Sequence, residues 1–213
     1  MYMPAHFEET RTEVLHELLA AHPLGALVRN GPAGLDADHI PFHLERDGSP
    51  HGRLLAHVAR ANPLWQEVRN GCEVLVIFRA AQAYISPNWY PSKHESHRQV
   101  PTWNYQVVHV HGVLTVHDDE RYVRGVVARL TREHEAATGA ARPWKMGDSA
   151  PEYIDEMLGK IVGLEVTIAR IVGKWKLGQN KDARDREGAE QGLRERGEDA
   201  TADAMQATRT PGS

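Results

Sequence analysis

The residues best suited to chemistry lie between Ala83 and Tyr105. The run Ala83-Tyr84-Ile85-Ser86-Pro87-Asn88-Trp89-Tyr90-Pro91-Ser92-Lys93 packs two tyrosines, a tryptophan and two prolines together, and Pro101-Thr102-Trp103-Asn104-Tyr105 follows. Proline fixes φ and stiffens a loop. Tyr and Trp add flat apolar faces with polar edges. Such a stretch can form a rigid wall for a planar ligand. The same composition equally suits two loops closing one end of a barrel, with the aromatics as a satellite core.

Two further segments carry charge in suggestive places. In His57-Val58-Ala59-Arg60-Ala61-Asn62-Pro63 a strand runs into a helix, with Asn62 as N-cap and Pro63 at the first helical position. Free N–H groups at a helix start suit a phosphate, and Arg60 just before it offers a bidentate cation. The alternative is a capped helix with a solvated arginine. Lys174-Trp175-Lys176-Leu177-Gly178-Gln179-Asn180 sets two lysines about a tryptophan. It reads either as an arm reaching over a ligand or a neighbouring subunit, or as a basic strand end that snorkels.

The 13 histidines do not make a metal site. His94-Glu95-Ser96-His97 has a spacing of three, whereas the zinc-protease helix needs four. His109 and His111 share one face of a strand but have no carboxylate close in sequence to complete a set. No metal is expected. Phosphate-binding glycine loops and nucleophile elbows are absent. Cys72 precedes an apolar strand and reads as a buried, inert thiol.

The elements that must position these residues are mostly strands. A helix from Arg11 to Ala21 has its stripe at Val14, Leu15, Leu18 and Leu19, and Pro23 stops it. Strands are expected at Leu24–Arg29, His39–Leu44, Arg53–Val58, Glu73–Phe78, Gln106–Val116 and Ile161–Ile171. Helices are expected to start at Asp118 or Asp119 and, with Ser149 and Glu152 at capping-box spacing, at Pro151. Many short strands with close turn signals and three peripheral helices point to a mainly β fold, a small antiparallel barrel. From Lys181 onward aromatics vanish and Arg, Glu, Asp and Gly dominate, the composition of a segment that stays disordered. The expected division is therefore a domain over 1–180 and a charged, disordered tail over 181–213.

Composition sets the outer limits. With 213 residues, 41% hydrophobic and 25% charged, the chain suits one domain. A net charge of −4 argues against a protein that coats nucleic acid, although a local basic patch is compatible with it. The single cysteine points to a cytoplasmic location. No apolar run reaches the roughly eighteen residues of a membrane span, so no membrane partner is expected.

The ordered motifs resemble a known family. Met1-Tyr2-Met3-Pro4-Ala5-His6-Phe7, His39-Ile40-Pro41, His57 to Pro63, Tyr84-Ile85-Ser86-Pro87, Trp89 to Lys93, Pro101 to Tyr105 and Lys174-Trp175-Lys176 are similar, in this order, to the PaiB-type FMN-binding negative transcriptional regulators. The resemblance implies an FMN-binding split β-barrel of the pyridoxamine-phosphate-oxidase type over residues 1–180. It also implies a homodimer with FMN at the subunit interface, a DNA or protein regulatory partner, and repression of genes for protease production and sporulation. Carried onto this chain, it makes Arg60 and Asn62 the phosphate contacts, and Tyr84, Trp103 and Asn104 the wall and donors for the isoalloxazine. His39 and His57 line the same cleft or are satisfied structural histidines, and Lys93, Lys176 and Gln179 complete the expected cofactor contacts. Where the family motif has serine, this chain has Gly178. The same fold also hosts FMN-dependent oxidoreductases, the alternative function.

Overall fold

Side-chain alternation along long strands sets the architecture of the computed structural model, which describes residues 1–209. Among the described residues the order is β1 (Glu8–Glu9), α1 (Thr12–Ala21), β2 (Leu24–Gly31), β3 (Gly34–Pro41), β4 (His43–Glu45), β5 (Arg53–Ala59), α2 (Leu64–Glu67), β6 (Cys72–Ile85), α3 (Pro91–Ser96), β7 (Thr102–His117), α4 (Glu120–Ala137), α5 (Pro151–Leu158), β8 (Ile161–Lys176), α6 (Ala183–Arg194) and α7 (Asp199–Ala207). Single 3-10 turns occupy Ala5–Phe7, Pro87–Trp89 and Met146–Asp148. The strands form one sheet in the order β3-β2-β6-β7-β8-β5-β4, with β1 added to β8. On β6, Val74, Val76 and Phe78 are buried while their neighbours are not, the period-2 signature of one covered face.

Three strands run further than their apolar cores suggest. β6 continues to Ile85, β7 begins at Thr102, and β8 continues to Lys176. The expected strand His39–Leu44 divides at Phe42 into the end of β3 and the start of β4, as suits a proline that cannot donate to the ladder. Of the two expected starts, Asp119 is the one that caps α4, accepting from the Tyr122 N–H at 2.8 Å.

Contacts group the chain into two compact units. One comprises Met1–Leu15, Arg79–Val108 and the described residues from Val172 onward; the other comprises His16–Phe78 and His109–Ile171. Within the second, β2 pairs antiparallel with β3 and β6, and β5 with β4 and β8. There α4 lays Val126 and Leu130 on Leu55 of β5.

The first unit corrects the expectation of a disordered tail. Residues 183–194 and 199–207 are helical, and only 210–213 of that tail lie outside the described residues. Asp185, Ala189, Gly192 and Leu193 of α6 and Thr201, Ala202 and Met205 of α7 are buried. Small residues let the α6 backbone approach its neighbour closely. A Cβ on Gly188 would lie 2.1 Å from the Trp89 carbonyl oxygen, and one on Gly192 would lie 2.4 Å from the Trp89 ring. Several of the charges that suggested disorder are paired instead. Arg194 meets Asp203 at 2.7 Å, and Arg209 meets Glu190 at 2.6 Å.

Gly192→Ala therefore overpacks the α6–Trp89 contact, at a cost of about 1–3 kcal/mol. Since one kcal/mol moves Tm by roughly 2–4 °C in a chain of this size, thermal unfolding of the variant should begin several degrees lower. An unchanged Tm would show that α6 does not seat on Trp89.

Candidate functional site

Period-2 alternation divides the Pro101–Tyr105 motif between two faces. Thr102 and Asn104 line one pocket, and Trp103 and Tyr105 line another cleft. The aromatic cleft encloses about 510 Å³ and is completed by Arg79, Gln82, Gln106 and Val107. Trp103 is 55% exposed and Tyr84 40% exposed, and their rings meet edge to face with centroids 6.3 Å apart. Asn104 does not join this wall. It is buried, and its amide donates to the Met205 sulfur at 3.2 Å.

The second pocket, of about 200 Å³, is lined by lysines and aromatics. Lys176 donates to the Thr102 hydroxyl and the Trp103 carbonyl. Lys181 donates to the Gln99 side-chain oxygen at 2.6 Å and lies 4.9 Å from the centre of the Tyr90 ring. Beside them Lys174 is only 7% exposed, donates to the Tyr2 carbonyl at 3.0 Å and sits 5.6 Å from the rings of both Tyr2 and Tyr105. Burial lowers the Lys176 pKa, and the neighbouring Lys174 and Lys181 charges lower it further. Burial, then the nearby Asp185, pushes the Tyr90 hydroxyl up to about 12.

A buried carboxylate holds this region to α6. Asp185 accepts from the Ser92 N–H at 3.0 Å, the Ser92 hydroxyl at 2.6 Å and the Gln99 amide at 3.1 Å. Lys93 lies on α3 and donates to Asn88 at 2.9 Å. Both ends of the Gln179 amide are spent on the strand end, donating to the Trp175 carbonyl at 2.6 Å and accepting from the Leu177 N–H at 2.8 Å. This turn explains the departure at Gly178, whose φ of +82° is a left-handed conformation that glycine adopts freely.

The other four expected contacts belong to the second unit. Arg60 is committed there: its guanidinium donates to both Asp118 oxygens at 2.9 and 2.5 Å and to the Gly159 and Ile161 carbonyls at 2.8 and 3.3 Å. The hydrogen bonds to Asp118 raise the Arg60 pKa and lower that of Asp118. Asn62 caps α2, accepting from the Leu64 N–H at 2.8 Å, and donates to Asp38 at 2.8 Å. Its four-residue helix is a turn whose first donor is already satisfied. His39 is exposed on β3 and pairs with Ala26. His57 on β5 buries an Nδ1 with no hydrogen-bond partner among the described residues, and burial lowers its pKa. Sequence reasoning missed Thr102, Lys181 and Asp185. Lys181 and Asp185 fell in the supposed tail, and only the spacing of small residues along α6 could have revealed them.

A family model described as "Putative FMN-binding domain" matches residues 1–170. The protein named Protease synthase and sporulation protein PAI 2 of Bacillus subtilis is 28% identical over 185 residues, covering 87% of this chain and 85% of that one. An uncharacterized protein of Aspergillus fumigatus is 30% identical over 241 residues, covering 92% of each chain. Among solved structures, the FAD and heme binding protein of Mycobacterium smegmatis superposes with a TM-score of 0.55 at 18% identity, over 85% of this chain and 79% of that one. The fold, a mostly antiparallel sheet with helices, is the one this solved structure shares.

The buried His57 makes stability depend on pH. Its folded-state pKa lies below the unfolded value of about 6.5. As pH falls through that value the unfolded chain gains a proton that folded His57 resists, so stability is lost on acidification. Urea midpoints measured between about pH 7.5 and 5.5 should fall further for the parent than for His57→Gln. Equal falls would show that His57 binds its proton alike in both states.

Proposed function

The chain belongs to that FMN-binding family, and on this premise we propose that it acts as a PaiB-type negative transcriptional regulator holding FMN at the interface of a homodimer. FMN is its cofactor. When bound, the flavin supplies redox chemistry that side chains lack. The residues fit such a group. Trp103 and Tyr84 offer apolar ring faces with polar edges, and the cleft beside Trp103 also contains the cationic Arg79.

The observation that carries this reading is the exposure of Trp103. It lies on a mid-sheet strand, yet more than half of its surface is open, with Tyr84 uncovered beside it. Large aromatics left bare at a cleft suit a ligand, and aromatic side chains are enriched where subunits meet. A two-fold dimer would bring the same patch from both copies. The regulatory part is supported by the Bacillus relative, which is named a protease synthase and sporulation protein. With a net charge of −4, any contact with DNA is confined to a local patch.

The purified protein should be yellow, sediment as a dimer and contain one FMN per chain. Trp103→Ala should weaken FMN binding roughly 2- to 12-fold, the loss of about 0.5–1.5 kcal/mol of ring contact. The FMN-loaded protein should shift DNA from its own promoter region in a gel, with binding that weakens steeply as salt rises. A colourless monomer that ignores added FMN would overturn the flavin and dimer reading. Steady NADH oxidation without salt-sensitive DNA binding would replace the regulator with an oxidoreductase.

A further inference from the structure

The lysine pocket on the Thr102–Asn104 face of β7 is built for a charge that the protein does not supply. No carboxylate among the described residues lies within salt-bridge distance of Lys174, Lys176 or Lys181, whereas Arg29, Arg60, Arg184 and Arg209 each have one. Asp185 reaches Lys181 only through the Gln99 amide, which accepts from the lysine and donates to the carboxylate. Phe7, Tyr90, Val100 and Pro101 wall the pocket, and apolar walls strengthen every charge inside. The ammonium groups are already held, Lys176 by Thr102 and the Trp103 carbonyl and Lys181 by Gln99 and Tyr90, so little side-chain freedom remains to be lost on binding. Asn180 at the mouth adds an amide with no partner among the described residues.

From this geometry we infer that the pocket lined by Lys176, Lys181, Thr102 and Asn180 binds a phosphate monoester group. Its volume of about 200 Å³ leaves room for a phosphate group. Lysines bind phosphate as compact point charges, without the planar fork that arginine offers. A dianion with three acceptor oxygens answers both the clustered ammonium groups and the neutral donors at the rim. The phosphate comes either from FMN itself, which rests on the flavin reading above, or from a separate phosphate-bearing ligand. Arg60, tied up by Asp118 and two carbonyls, leaves the first source open.

The test uses the full-length chain, its Lys176→Gln/Lys181→Gln double variant and, as a change confined to an exposed side chain, Asn180→Asp. Titrations with FMN, with riboflavin (which lacks the phosphate) and with inorganic phosphate are followed by flavin fluorescence and by the melting temperature. If the cofactor fills the pocket, both variants lose FMN affinity, the double variant by at least about tenfold, while riboflavin affinity holds. If a separate ligand fills it, both flavins bind unchanged. Inorganic phosphate then raises the melting temperature of the FMN-loaded parent and fails to raise that of either variant. A parent that binds no flavin but keeps a phosphate response that both variants lose would sink the flavin reading and leave the pocket standing. FMN affinity and phosphate response unchanged in Asn180→Asp and in the double variant would overturn the inference. Should the double variant fail to fold, an unaltered Asn180→Asp alone overturns it.

Discussion

The buried Asp185 carboxylate is the contact on which the candidate site most depends. A charge removed from water is tolerated only when its lone pairs are satisfied, and Asp185 meets that condition with three donors from Ser92 and Gln99. Those donors belong to the segment between Trp89 and Pro101, so one carboxylate on α6 fixes where the aromatic stretch ends and where β7 begins. Gln99 passes the constraint on to Lys181, and Lys181 covers the ring of Tyr90. The cationic pocket is thus set by an anion that does not line it.

Strand geometry does the remaining sorting. Once Thr102 starts β7, alternation sends Trp103 and Tyr105 to one face and Thr102 and Asn104 to the other. The same rule puts Lys174 and Lys176 on a common face of β8, where Lys176 reaches the Trp103 carbonyl and both lysines meet the Tyr105 ring. An aromatic cleft and a cationic pocket therefore share four consecutive residues of one strand.

The second unit uses its polar residues differently. Arg29 is buried among Asp36, Asp38 and Glu67, and Asn62 bonds to Asp38, which ties the start of α2 to the β2–β3 hairpin. Arg60 closes a bidentate pair with Asp118. These side chains are engaged with one another in holding the fold, a use that residue type and spacing alone do not distinguish from waiting for a ligand.

Much was legible from local patterns because it depends on neighbours in the chain. The amphipathic stripe of α1, the Asp119 cap and the alternation of β6 need only residues a few positions apart, and the ordered aromatic motifs identified the FMN-binding family and its fold. Other features depended on partners far away in sequence. Alternation split Trp103 from Asn104 only because β7 starts at Thr102, and Arg60 meets Asp118 58 residues on. The charged segment after Lys181 looked disordered because the apolar stripe of α6 is written in small residues, Gly188, Ala189 and Gly192 with a single Leu193, which carry little hydrophobic signal. What makes them a packing face is the Trp89 ring against them. The sequence by itself determined the family, the strand-rich fold and the stretch that carries the site. Which of those residues line a cleft and which hold the chain together was decided by the tertiary structure, because a hydrogen bond or a buried charge is defined by its partner.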